Sequence, residues 1–194
     1  MGHSQSKKLR THERILEVAA RRFRERGIEG ISISEIMREV GVTIGGFYKH
    51  FPSRDALVEE AVSVAFADTS SWNQLAGYRL SEAVDQYLSF ARGDDLPACA
   101  VFSCLTGDIR RSSSTLREIL DTHLLQTLNA VERGLDNCGS VDRGRKAATI
   151  LAALVGGVLL AYATSDKTLA HNLLTGVSDE LHRTYLGDLS SPIA

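Results

Sequence analysis

One short stretch concentrates side chains able to hold an anion: Phe47-Tyr48-Lys49-His50-Phe51, with Arg54 just beyond it. Lys49 and Arg54 can neutralise phosphates, while Tyr48 and His50 can donate hydrogen bonds to phosphate oxygens. Upstream lie the hydroxyls of Ser32 and Ser34, at the start of a helix-forming segment, and then Thr43, Gly45 and Gly46. That chemistry is recognition of a polyanion rather than catalysis. The chain has no Ser/His/Asp constellation, glycine-rich phosphate loop or metal-spaced His/Cys/Glu set in its sequence pattern, so no catalytic residue, metal ligand or cofactor is expected.

The elements that must position these groups are legible. Ser32 three residues before Glu35 forms a capping box, and Ile33, Ile36, Met37 and Val40 make an apolar side that ends at Gly41. Thr43 is placed to cap a second short helix from Ile44 to His50, with Ile44 or Phe47 and Phe51 as its core-facing residues. Two helices joined by a tight turn are a helix-turn-helix. Gly45 and Gly46 each cost roughly 1 kcal/mol relative to alanine in a helix, so something requires their small size. Close approach to DNA and tight packing of one helix on the other are both sufficient reasons.

Charge is divided to match. Residues 1–54 carry 11 Lys and Arg against 6 Asp and Glu, a net of +5, which leaves 11 against 18, or −7, for the remainder of a chain whose net charge is −2. A basic head on an acidic body is the electrostatic footprint of a DNA reader with a separate second function. The 194 residues, 43% hydrophobic and with three prolines, have no alternating apolar run bounded by turns, so the chain reads as all-α.

The first third, about Arg10 to Ala67, resembles the N-terminal DNA-binding domain of the TetR/AcrR family of bacterial transcriptional regulators. The resemblance runs through Ile15, Ala19, Phe23, Gly27, Ser32, Ile36, Gly41-Val42, Phe47-Tyr48-Lys49-His50-Phe51, Arg54 and Leu57. It implies a three-helix helix-turn-helix domain over 1–52, joined by a linking helix to an effector-binding and dimerisation domain over 53–194, about nine helices in all. Thr43, Gly45 and Gly46 then match positions that face base edges, and Ser32 and Ser34 match positions that often contact phosphate. Ile44 stands where relatives are often polar or basic, so it is expected to pack or to touch a thymine methyl.

The rest of the chain is read more coarsely. Residues 1–9 are expected as a mobile arm and Thr69–Gly77 as a Ser-rich connection. Ser53 caps a linking helix to Asp68, and further helices follow from Ser81, Pro97, Leu116, Ser140 and Asp166. The run Ala147–Ala163 is apolar on every side. A transmembrane helix needs about 20 residues, so a buried helix is the expectation, with no membrane partner. The resemblance implies a homodimer through the last two helices, and Leu154, Gly156, Gly157, Leu160, Leu173, Val177 and Leu181 are the interface candidates.

It also implies an apolar cavity for an unknown small-molecule effector. Phe66, Trp72, Tyr87, Cys99, Phe102 and His123 are its candidate liners, although such residues are more often core than pocket. Cys99 and Cys104 offer an alternative, a thiol sensor of electrophiles or oxidants. Five residues apart, they sit about 140° apart around a helix, and Cys138 leaves an odd count without a Cys-x-x-Cys pair. A cytoplasmic, ligand-responsive repressor of palindromic operator DNA is the expected function, nucleoid-associated when bound. A small-molecule enzyme in the helical body is a distant alternative.

Overall fold

A computed structural model describes residues 2–90, 100–135 and 140–187. Among them are nine α-helices: α1 Gly2–Arg26, α2 Ile33–Val40, α3 Arg54–Ala67, α4 Ser70–Tyr78, α5 Leu80–Phe90, α6 Val101–Ile109, α7 Ser114–Arg133, α8 Ser140–Ala163 and α9 Lys167–Leu181. A 3₁₀ helix, Ile44–Lys49, stands between α2 and α3, and a π-helical turn, His182–Leu186, follows α9. The all-α expectation is met. Two local expectations are not. The segment read as an arm continues α1 back to Gly2, and the Ser-rich connection folds as α4. In both cases polar side chains hid the pattern: α1 gains its first turns by extending a helix already nucleated further along, which avoids the unfavourable nucleation step. The small polar residues around Trp72 give α4 too narrow an apolar stripe to announce itself.

Contacts gather the chain into two units: described residues of 1–68 with 104–121, and described residues of 69–103 with 122–194. In the first, α1 packs on α2 and α3 through Ile15, Ala19, Ala20 and Phe23, which meet a core that includes Ile36, Met37, Leu57, Val58 and Phe66, all buried. The expected caps hold these helices. Ser32 and Glu35 close the capping box on α2, Gly41 ends it in the left-handed region, and the Ser53 hydroxyl accepts the Ala56 N–H at 3.1 Å at the start of α3.

In the second unit α4 packs on α5, and α8 on α9. The buried positions of α8, Ala147, Ile150, Leu151, Leu154, Val158 and Ala161, recur at intervals of three and four, one face of a helix. Residues Asp142–Ala163 of α8 are long and apolar enough to cross a membrane by length and composition. The outer positions Leu159 and Leu160 are 51% and 58% exposed, so the helix is apolar on both its packed and its open side.

One contact ties the end of α1 to α6 within the first unit. Gly27 sits at φ +76°, and a Cβ there would lie 2.7 Å from Asp108 Oδ2, an oxygen already accepting the Ile28 N–H at 2.8 Å. Gly27→Ala should therefore lower stability by about 1–3 kcal/mol, read as a lower urea midpoint. The double variant with Asp108→Ala should recover the steric part of the loss and keep the backbone part.

Candidate nucleic-acid interface

The 3₁₀ helix Ile44–Lys49 is the second element of the helix-turn-helix. Only six residues long, it is anchored by Phe47 and, just beyond it, Phe51, both fully buried with rings stacked 5.6 Å apart. This answers the choice between Ile44 and Phe47: Phe47 faces the core, and Ile44 is 59% exposed. The packing alternative for Ile44 is thus corrected. Ile44 is the first residue of the 3₁₀ helix, and its side chain lies in solvent there.

Tyr48 is 71% exposed and edge-on to Phe47, and Lys49 is exposed beside it. Thr43 takes the N-cap position without a capping bond from its hydroxyl. The two glycines separate. A Cβ on Gly46 would meet Val42 Cγ1 at 2.8 Å, whereas one on Gly45 would meet nothing within 4 Å. Internal packing accounts for Gly46 only.

Other candidate residues carry internal bonds. Ser32 donates to Glu35 Oε2 at 2.7 Å and accepts the Glu35 N–H at 3.3 Å, with Ser34 Oγ at 2.9 Å. The Ser32 hydroxyl holds the Glu35 carboxyl below the usual carboxylate range, so a negative charge already occupies the start of α2. Arg54 donates to the Ile28 carbonyl at 2.6 Å and to Glu29 at 3.1 Å, which makes it a clamp on the loop after α1. His50 is half-buried, and its ring lies 6.1 Å from that of His12.

Several arginines of α1 reach other elements. Arg21 and Arg22 both bond Glu39 of α2, Arg22 at 2.8 Å, and Arg24 reaches Asp68 at 2.9 Å. The Arg22 bond is the main reason the Glu39 carboxyl lies below its ordinary range.

The remaining candidates are scattered. Phe66 is buried in the first unit. Trp72, Tyr87 and Phe102 are buried in the second, where the indole N–H donates to the Ala83 carbonyl at 2.9 Å and the Trp72 and Tyr87 rings meet edge to face at 5.5 Å. The Tyr87 hydroxyl lies 3.4 Å from Ser103 Oγ, which donates to the Val155 carbonyl at 2.9 Å. His123 is half-buried, and burial holds its imidazole below the ordinary range. Cys99 and Cys138 lie outside the described residues. Burial pushes the Cys104 thiol up to about 11, far from the thiolate that electrophile or oxidant chemistry needs.

Of the dimer candidates, Leu154 and Leu181 are buried within the chain, and Gly157 faces Val177, whose Cγ2 a Cβ would approach to 3.3 Å. The reading of these three as available interface residues is corrected: α8 and α9 consume them against each other. Gly156 meets no neighbour within 4 Å, and Leu160 is exposed. Leu173 and Val177 line a groove of about 460 Å³ with Gly176, Leu181 and Tyr185.

One constellation escaped the sequence altogether. His182 Nε2 lies 2.8 Å from Asp85 Oδ1 and its Nδ1 3.4 Å from Ser81 Oγ. Ser81 and Asp85 are one turn apart on α5, so the trio fastens the turn after α9 to that helix. No sequence signal links residues about a hundred positions apart.

Comparison with known proteins bears on the head first. Residues 15–61 match the model of the bacterial regulatory proteins of the tetR family. The HTH-type transcriptional regulator LmrA of Bacillus subtilis is 26% identical over 188 residues, spanning 89% of this chain and 97% of LmrA. These matches support the TetR/AcrR family, with the family model covering the head alone. The AcrR regulator of Shigella flexneri is 30% identical over 123 residues, 63% of this chain and 44% of that protein. Among solved structures, reduced NemR of E. coli shares the TetR-family fold at a TM-score of 0.71 and 18% identity, over 87% of this chain and 95% of NemR. A TetR-family regulator from Agrobacterium tumefaciens does so at 0.70 and 19%, over 89% and 98%. The comparisons support a TetR-family transcriptional regulator with a DNA-binding head.

The two glycines give a direct test of which face meets DNA. Gly45→Ala should leave stability unchanged or raise it by about 0.4–1 kcal/mol while weakening DNA binding. Gly46→Ala should lower the thermal midpoint, because the Val42 methyl must move. Equal midpoints for the two variants would contradict this assignment.

Proposed function

We propose that this regulator is a ligand-responsive repressor that binds palindromic operator DNA as a homodimer and is released by a small-molecule effector. The observation that carries this reading is the outward face of the 3₁₀ helix. Thr43, Ile44, Gly45, Tyr48 and Lys49 are exposed on an element whose opposite side is fixed by Phe47 and Phe51. An exposed tyrosine, an exposed isoleucine and an open glycine side by side have no role inside the chain. They fit a groove in which Ile44 touches a thymine methyl, the Gly45 backbone approaches closely, and Tyr48 and Lys49 hold phosphates.

Two copies are required because a six-residue helix covers too few bases. Paired recognition helices would enter successive major grooves about 34–36 Å apart. The outer faces of α8 and α9 support such pairing. Leu159, Leu160, Tyr162 and Leu169 are exposed, a concentration of apolar surface that a soluble chain ordinarily covers. The head over 1–52 would read DNA, and the body over 53–194 would bind effector and partner. Effector binding would then shift the population between dimer geometries that match the operator and those that do not. The protonated Cys104 favours a non-covalent effector over thiol chemistry. Cytoplasmic location follows from the role.

An anisotropy titration against the chain's own upstream DNA tests the reading. A specific complex that survives excess random competitor is expected. A folded dimer that binds no upstream fragment more tightly than random duplex at low salt would defeat it. Leu160→Asp should shift the protein toward monomer in sedimentation and lose operator affinity by about tenfold or more, since half a dimer keeps half the contacts. Cys104→Ser should leave effector release unchanged.

A further inference from the structure

The continuation of α1 to Gly2 brings Lys8 and His12 beside the end of the 3₁₀ helix. The His12 ring stacks on Phe51 at 4.5 Å with planes 21° apart, and its Nε2 lies 2.8 Å from Glu60 Oε2 on α3. His50 stands 6.1 Å from His12, and its Nδ1 is buried with no hydrogen-bond partner among the described residues. Lys8 and Lys49 are both exposed. α1 and the 3₁₀ helix thus bring two imidazoles together, with Lys8 and Lys49 near enough for their charges to act on His50 and with Glu60 of α3 engaged by His12.

We infer that Lys8, His12, Lys49 and His50 form one phosphate-binding site, and that His50 takes up a proton from solvent when a DNA backbone phosphate enters it. The inference rests on the reading of the head as a DNA binder and adds to it Lys8, His12 and a proton. In the free protein a charged His50 is disfavoured first by burial and then by His12, Lys8 and Lys49. No acceptor on the chain rewards an Nδ1–H. Of the α3 carboxylates Asp55, Glu59 and Glu60, it is Glu60 that bonds His12, and this bond holds the ring against Phe51. A phosphate supplies the missing negative charge, so it raises the proton affinity of His50. The bound state then holds more protons than the free one, and affinity must rise as pH falls.

Two titrations decide this. A random-sequence duplex at low salt serves as probe, because a phosphate site is indifferent to sequence, with the upstream fragment alongside. From pH 8 to pH 6 at constant salt, affinity should rise about three- to tenfold per unit. Calorimetry in two buffers of different ionisation enthalpy should record proton uptake near pH 7. His50→Gln should keep its melting curve and its complex but lose most of the pH slope and the uptake. Lys8→Ala should weaken binding, flatten the salt dependence by about one unit of slope, and reduce the uptake, because His50 is then easier to charge in the free protein.

A complex that forms in wild-type protein without proton uptake, or uptake unchanged in both variants, overturns the phosphate-linked proton and leaves the DNA reading intact. A folded protein that binds neither duplex overturns both. Should His50→Gln fail to fold, wild-type uptake and its change in Lys8→Ala carry the decision.

Discussion

The head depends on the burial of two phenylalanines. A six-residue 3₁₀ helix has too few internal hydrogen bonds to persist alone, so its position comes from the Phe47 and Phe51 rings stacked in the core beneath it. Everything presented outward follows from that anchorage. With Phe47 pointing in, Ile44, Tyr48 and Lys49 point out. With Phe51 fixed, His12 has a flat surface to stack on and His50 is held near it. The two rings thus convert a weak segment into a rigid surface, at the expense of any freedom to re-aim it.

The charge of the head is less available than its sum suggests. Arg21 and Arg22 join α1 to α2 through Glu39, Arg24 joins α1 to Asp68, and Arg54 clamps the loop at Ile28 and Glu29. Exposed ion pairs of this kind contribute little stability each. Their larger effect is orientation, because a guanidinium held by a carboxylate or a carbonyl is directed away from an incoming phosphate. Lys7, Lys8 and Lys49 of the head, by contrast, are exposed.

The second unit solves a different problem. Its polar interior groups are satisfied by chain-internal bonds, Trp72 to Ala83 and Ser103 to Val155, as buried donors require. Small residues set the distances between helices: α7 ends against α4 at Gly134, where a Cβ would lie 2.1 Å from the Ala76 carbonyl, and α8 meets α9 at Gly157. Close contact on the inner face leaves a ridge of Leu159, Leu160 and Tyr162 outside. The same apolar helix therefore has one face packed within its own chain and another exposed.

The sequence by itself determined the helices with caps and wide apolar stripes: the capping box at Ser32, the cap at Ser53, the cap of α9 at Asp166, and the basic head. These signals act over one or two turns, so they are written in neighbouring residues. It left Ile44 and Phe47 as alternatives and Gly45 and Gly46 with the same two explanations, and the resemblance placed Leu154, Gly157 and Leu181 in a dimer interface. Tertiary structure decided each of these, because which side of a helix is inside depends on elements far along the chain. It also made the pairings no local pattern encodes, His12 with Glu60, Ile28 with Asp108 and His182 with Asp85. The residue types at the interface were legible, and their division into anchors, clamps and free contacts was set by packing.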